Sequence, residues 1–214
     1  MTPIPFPRRG LYLITPDGDD SAALMARVER VLPFAACLQY RNKRATGERR
    51  GAEATELRAR CAAAGIFFII NDDVALAARV EADGVHLGED DGDIAAARAL
   101  LGPGVAIGAS CYDDASLARK AVAAGADYVA FGALFPSSTK PAARRASPAL
   151  FTNTAALGVP RVAIGGIAPD NAPQAVAAGA DLLAVIGGVF DAPDPVDAAR
   201  RIASAFDPLP PESP

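Results

Sequence analysis

Six short polar segments carry the residues of this chain that could do chemistry, and each stands where an apolar run ends. They are LQYRNK (Leu38 to Lys43), IINDD (Ile69 to Asp73), HLGEDD (His86 to Asp91), GAS (Gly108 to Ser110), PSSTK (Pro136 to Lys140) and IGG (Ile164 to Gly166). Cations, carboxylates, hydroxyls and glycines gathered in this way suit a metal ion and two phosphorylated groups. In LQYRNK, an extended backbone sends Gln39, Arg41 and Lys43 to one side and Leu38, Tyr40 and Asn42 to the other. Two cations and an amide facing inward are expensive unless an anion compensates them. Arginine offers a planar fork for phosphate oxygens and lysine a point charge. Charges solvated beyond a strand end are the plainer alternative.

Asp72 ends one apolar run and Asp91 follows the next. Neighbouring parallel strands would bring the two carboxylates together, an arrangement suited to Mg2+, which takes one or two carboxylates plus water and phosphate oxygens. Asp73, Glu89 and Asp90 crowd the same region, so chemistry alone leaves the ligand choice open; Asp72 or Asp73 could also cap a helix. The single histidine excludes histidine-rich transition-metal ligation. Ser137, Ser138, Thr139 and Lys140 place three hydroxyls and an ammonium within four residues. The pairs Gly165–Gly166 and Gly187–Gly188 would let backbone N–H groups approach an anion, or could serve close packing. His86 reads as structural before it reads as a base. Tyr40 and Phe131 could face a flat ring or fill a core.

The elements that must position these groups are short apolar runs alternating with alanine-rich segments of helical period. Strands are expected at Leu11–Thr15, Ala36–Arg41, Phe67–Asp72, Gly84–Gly88, Ala106–Ser110, Tyr128–Phe135, Arg161–Gly166 and Leu182–Ile186. Helices are expected between and after them, at Ser21–Leu32, Arg50–Ala64, Val74–Val80, Asp93–Leu101, Asp114–Ala124, Pro148–Leu157, Asn171–Ala178 and Pro195–Ala205. Asp93, Asp114 and Asp170 stand where N-caps belong, and Gly65, Gly125 and Gly179 where C-caps belong. The phrases AVAAGADYVAFG and AVAAGADLLAVIG nearly repeat one another, each as helix, glycine stop and buried strand. Eight strand-then-helix units imply parallel strands. Unbroken apolar runs imply that both faces are covered. The expected fold is a single-domain α/β (β/α)8 TIM barrel, with an open doubly wound sheet as the alternative. Residues 1–10 read as an N-terminal extension, 11–206 as the barrel and 207–214 as a flexible proline-rich tail. In such a barrel every strand C-terminus faces one end, where the active site lies. Six separate segments would then deliver polar groups to one rim.

Bulk properties narrow the function further. At 214 residues, 51% of them hydrophobic, the chain can bury one large core. A formal net charge of −4 gives no basic field for nucleic acid. No apolar run approaches a membrane span, and MTPIPFPRRG lacks a signal core, so a cytoplasmic protein without a membrane partner is expected. Cys37, Cys61 and Cys111 fit neither a metal spacing nor a disulfide framework. Cys37 and Cys61 read as buried thiols, whereas Cys111 adjoins Ser110 in an expected active-site loop. The sequence leaves the oligomeric state open, a homo-oligomer included.

Taken in order from Leu11 to Phe190, LYLITP, LQYRNK, FIINDD, GVHLGEDD, GAS, DYVAFGALFPSSTK, VAIGGI and LLAVIGGVF resemble thiamine-phosphate synthases. The resemblance implies a transferase that joins an aminopyrimidine methyl diphosphate to a hydroxyethylthiazole phosphate, releasing pyrophosphate. Two phosphorylated small molecules would be its partners and Mg2+ its cofactor. It implies a pyrimidine diphosphate site of Gln39, Tyr40, Arg41, Asn42, Lys43, Asn71, Ser110 and Lys140. Of these, Arg41, Lys43, Ser110 and Lys140 would bear on catalysis. It implies Mg2+ on Asp72 and Asp91, and a thiazole phosphate on Ser137, Ser138, Thr139, Gly166, Ile186 and Gly187. Members of the family often carry serine where this chain has Gly187, so one hydroxyl contact to that phosphate would be missing. A related thiazole tautomerase is the near alternative; its relatives place a histidine two residues after the serine that ends strand five, where this chain has Tyr112. A catalytically silent phosphate-binding module and another phosphosugar barrel enzyme are the remaining alternatives.

Overall fold

The computed structural model describes residues 5–136 and 144–207. Ser137, Ser138, Thr139, Lys140 and the proline-rich tail from residue 208 lie outside the described residues. Eight parallel strands close a barrel in sequence order: β1 (Gly10–Ile14), β2 (Ala35–Tyr40), β3 (Phe67–Asn71), β4 (Gly84–Leu87), β5 (Ala106–Tyr112), β6 (Tyr128–Phe131), β7 (Arg161–Ile164) and β8 (Leu182–Val185). β8 pairs with β1 from Gly10↔Leu182 to Leu13↔Val185, which completes the ring. Around it, among the described residues, run α1 (Ser21–Val31), α2 (Gly47–Ala64), α3 (Val74–Arg79), α4 (Ile94–Leu101), α5 (Ala115–Ala123), α6 (Ala149–Asn153), α7 (Ala172–Ala177), α8 (Gly187–Phe190) and α9 (Pro195–Ser204). This is a TIM barrel.

The unbroken apolar runs conceal a period of two. Tyr12, Cys37, Phe67, Ile69, Tyr128 and Leu182 fill the ring, while Leu13, Leu38, Phe68, Ile70, Val129 and Leu183 pack outward under the helices. The segment before β1 also joins the inner core. Phe6 stacks on Tyr128 with ring centroids 4.2 Å apart and meets Phe67 edge-on at 5.4 Å. An apolar ring at this position shields the layer in which Tyr128 sits.

Three aspartates hold neighbouring strands in register at the end opposite the strand C-termini. Asp83, just before β4, accepts from Phe68 N (2.9 Å); Asp127, before β6, from Ile107 N (2.7 Å); Asp181, before β8, from Arg161 N (2.8 Å). Each also pairs with an arginine: Arg58, Arg98 and Arg161 respectively. The repeated Gly-Ala-Asp of the sequence is therefore a joint between strands. A carboxylate that serves a backbone donor and a guanidinium together is stronger than an exposed ion pair.

Some local expectations change. Asp93 and Asp114 cap α4 and α5 through Ala96 N (2.8 Å) and Ser116 N (2.6 Å), but Asp170 binds Arg201 at 2.6 Å and Asn171 stands at the start of α7. Strand six ends at Phe131, not Phe135, because beyond Gly132 the chain bonds to Arg144 O, Ile164 O and Gly165 O. Gly187–Gly188 is not a loop; it opens α8.

Gly108 carries a packing constraint. A Cβ there would lie 1.9 Å from Cζ of Tyr128, so the bare backbone of β5 is what lets that phenol cross the barrel. Gly108→Ala should lower stability by about 1–3 kcal/mol through overpacking, a fall of roughly 2–12 °C for a chain of this size. Thermal unfolding followed by circular dichroism checks this; an unchanged midpoint would show that the ring relocates freely.

Candidate active site

A cavity of about 650 Å3 opens at the C-terminal end of the strands. Gln39, Arg41, Asn71, His86, Ser110, Tyr112 and Arg144 line one side; Ile164, Gly165, Gly166, Ile186, Gly187, Gly188 and Asp191 line the other. The strand period explains the first group, since Gln39, Asn71, His86 and Ser110 occupy inward positions of β2 to β5. Loop backbone builds the second. Gly165 and Gly166 have φ of 96° and 68°, and a Cβ on Gly166 would lie 2.2 Å from Pro136 O. Asn171 secures this turn, donating to Gly166 O at 2.9 Å and accepting from Ala168 N at 2.8 Å.

The segment after β2 is held from both sides. Thr15 Oγ1 donates to Arg41 O and accepts from Arg41 N, both at 2.8 Å. Asp17 accepts from Arg41 Nη1 at 3.1 and 3.2 Å and from Lys43 N at 2.7 Å. Tyr40 and Asn42 face away from the cavity, which corrects their expected place in a substrate site. Tyr40 donates to Glu53 at 2.6 Å and Asn42 Nδ2 to Glu53 at 3.0 Å; Ser21 completes the set at 2.6 Å. Asn42 also bonds Gly18 through both N–H and C=O. These two residues fasten the loop to α2 and to the β1–α1 turn, while Gln39 and Arg41 line the cavity.

The acids sort themselves. Asp73 caps α3 by accepting from Leu76 N at 2.8 Å. Asp72 does not cap; it holds φ at 63° and donates its N–H to His86 O at 2.8 Å. Burial pushes the Asp72 carboxyl up to about 6, its neighbour Asp91 pushes the same way, and Lys43 opposes them. Asp91 also accepts from Gly88 N at 3.0 Å. Asp72, Asp91 and Lys43 thus gather at the rim, outside the cavity wall itself.

His86 sits deeper. It bonds Tyr128 through Nδ1 at 3.1 Å and Ser110 through Nε2 at 3.0 Å. Burial pushes it down to about 4, against the pull of Asp91, so the ring is neutral near pH 7. Cys111 departs from expectation. It is 1% exposed in the outer core, and burial lifts its thiol to about 12, so it is not a nucleophile at the site.

The profile of the thiamine monophosphate synthase family matches residues 11–189. A thiamine-phosphate synthase of Xanthomonas campestris pv. campestris (strain 8004) is 60% identical over 198 residues, covering 92% of this chain and 96% of its own. Another, from Azoarcus sp. (strain BH72), is 61% identical over 200 residues, covering 92% and 97%. The chain belongs to the thiamine monophosphate synthase family. A solved thiamine phosphate pyrophosphorylase from Pyrococcus furiosus superposes with a TM-score of 0.82 at 30% identity, covering 92% of this chain and 95% of that one. As a member of the thiamine monophosphate synthase family the chain is a transferase of thiamine biosynthesis. In this member, Tyr12, Thr15, Asp17, Arg144 and Asp191 join the site's surroundings without having been foreseen, as does Tyr112, singled out in the sequence only as standing where the tautomerase has its histidine. Tyr12 was accessible from strand alternation in LYLITP. Arg144 stacks on the Tyr112 ring at 5.2 Å, a contact that only the fold creates.

Because the folded Asp72 carboxyl has a raised pKa, its ionisation opposes folding. Stability is fully present below about pH 4 and falls as pH rises through about 6. Asn tolerates the left-handed backbone at this position. In chelator at pH 8, Asp72→Asn should therefore raise the melting temperature, by about 2–4 °C for roughly 1 kcal/mol after solvent screening. At pH 4 the gain should vanish. An equal gain at both values would assign it to packing instead.

Proposed function

We propose that the cavity condenses an aminopyrimidine methyl diphosphate with a hydroxyethylthiazole phosphate, giving thiamine phosphate and pyrophosphate. The observation that carries this reading is the division of the rim. Arg41, Lys43 and the Asp72–Asp91 pair lie on the β2–β4 side, a glycine-built wall lies on the β7–β8 side, and the cavity is between them. The diphosphate would rest against Arg41, Lys43 and Lys140, and the pyrimidine against Gln39, Asn71 and Ser110. The thiazole phosphate would rest against Ser137, Ser138, Thr139, Gly166, Ile186 and Gly187. In favour of the last placement, Gly187 and Gly188 stand in the first turn of α8, where N–H groups have no intrahelical acceptor.

The carboxylate pair fits a hard divalent cation. Both donors are oxygens, Lys43 and a hydrogen bond from Asn71 oppose the upward shift at Asp72 among the described residues, and two carboxylates leave positions for water and diphosphate oxygens. Asp72 and Asp91 would hold Mg2+, which supplies neutralising charge to the departing pyrophosphate. Arg41, Lys43 and Lys140 stabilise the negative charge that grows on the leaving oxygen. The pyrimidine amino group stabilises the methylene cation left behind, so the thiazole nitrogen needs only to be held in line. No nucleophilic side chain is required. That accords with a wall of amides, hydroxyls and one neutral imidazole.

Mixing both substrates with Mg2+ should release pyrophosphate; binding without release would favour a silent phosphate-binding module. Asp72→Ala and Asp91→Ala should each lower turnover about 10–100-fold, the range seen when groups that support a metal are lost, and raise the Mg2+ requirement. Undiminished turnover with unchanged Mg2+ dependence in both would remove the metal from these residues. Lys140→Ala should lower kcat more than it raises KM for the thiazole; the opposite pattern moves Lys140 to that substrate. A Cβ on Gly187 would meet only the tip of Asp191, at 2.8 Å, so Gly187→Ser should fold. Its hydroxyl adds a donor to a charged phosphate, and KM for the thiazole phosphate should fall about tenfold. An unchanged KM would place that phosphate elsewhere.

A further inference from the structure

Gln39 and Ser110 come from different strands, yet one unbroken hydrogen-bonded chain joins them through the barrel interior. Gln39 Nε2 donates to Tyr12 Oη at 3.1 Å. Tyr12 Oη lies 2.9 Å from Tyr128 Oη, Tyr128 Oη 3.1 Å from His86 Nδ1, and His86 Nε2 3.0 Å from Ser110 Oγ. The five residues hold inward positions on β2, β1, β6, β4 and β5. Tyr12 and Tyr128 are 1% and 0% exposed, so water does not substitute for a missing partner there.

Proton counting gives the chain a direction. An amide NH2 can only donate, a phenol has one proton, and a neutral imidazole has one N–H and one acceptor nitrogen. With Gln39 Nε2 donating to Tyr12, the Tyr12 proton must go to Tyr128 and the Tyr128 proton to His86 Nδ1. The imidazole proton is then on Nε2 and goes to Ser110, whose own proton is free for the cavity. At the other end Gln39 Oε1 is free to accept, beside the second Nε2 proton. A doubly protonated imidazole would break the sequence, because Tyr12 would be left with no acceptor.

The geometry points to Tyr12, Tyr128 and His86 as positioning residues that set which end of the cavity donates and which accepts. An acceptor at Gln39 and a donor at Ser110 match a heterocycle that carries an amino group and an unprotonated ring nitrogen. A hydroxypyrimidine in its oxo form presents the reverse, a carbonyl oxygen and a ring N–H. The uncommitted Ser110 proton and the Gln39 carbonyl therefore favour the amino- over the hydroxypyrimidine diphosphate, which the remaining Ser110 lone pair and second Gln39 N–H would hold more weakly. The ligand assignment rests on the function proposed above; the polarity of the chain does not.

His86 is the only histidine in the sequence, so labelling with 15N-histidine reports a single ring. In the ligand-free wild type the spectrum should show the Nε2–H tautomer with an unprotonated Nδ1. An Nδ1–H ring, or averaging between tautomers, overturns the proposal. Tyr12→Phe and Tyr128→Phe keep the rings but cut the chain. Each should relax the tautomer bias and reduce the amino-over-hydroxy preference in kcat/KM about tenfold, the worth of one net hydrogen bond, with KM for the thiazole phosphate unchanged. Preserved preference, or equal losses on both substrates, would reduce the tyrosines to packing and overturn it. Failure of the wild type to release pyrophosphate would overturn the functional reading and the pyrimidine assignment with it. Release from a protein carrying an Nδ1–H ring overturns this inference alone.

Discussion

Ring closure is the constraint on which the site depends. Once Gly10–Leu13 pairs in parallel with Leu182–Val185, all strand C-termini share one rim and all inward side chains share one interior. Acids after β3 and β4, a cation after β2 and glycines after β7 and β8 become neighbours for that reason. The same closure divides labour between the ends. Asp83, Asp127 and Asp181 tie adjacent strands at one end, each in an ion pair with an arginine. At the other end two carboxyls, Asp72 and Asp91, are neighbours, and burial with that proximity raises Asp72.

The polar rim is stable because the side of the strand facing away from it is firmly tied. Glu53 is 2% exposed and receives Tyr40, Asn42 and Ser21, so its charge is compensated by hydrogen bonds. Its partners alternate with Gln39 and Arg41 along one strand. Fixing the outward residues therefore fixes the inward ones, within the tolerance that catalysis by positioning demands. Asp17 has the complementary role. It pairs with Arg41 within the free protein, so under the proposed function a diphosphate would exchange one anionic partner for another instead of meeting an isolated cation.

Much of this was legible before folding, and the exceptions have physical reasons. The eight strands, their order and the convergence of Arg41, Asn71, Asp72, Asp91 and Ser110 on one end followed from apolar runs and polar punctuation. Tyr40 and Asn42 were legible by alternation as facing outward, but the family resemblance put both on the substrate, and the aromatic ring of Tyr40 also suggested a flat ligand. Asp72 and Asp73 were indistinguishable by type; only backbone geometry makes one the cap and leaves the other at the rim. The end of β6 was overestimated because AFGALF remains apolar past Gly132, although its hydrogen bonds go to neighbouring loops.

The linear chain by itself determined the barrel, the family and the inventory of groups for two phosphorylated ligands, because periodicity and residue chemistry are local properties. Tertiary structure alone decided which of those groups meet. That Gly108 makes room for Tyr128, that Phe6 covers it and that five residues link Gln39 to Ser110 all require contacts between strands distant in sequence. Such contacts exist only when the ring closes and its interior is packed without gaps.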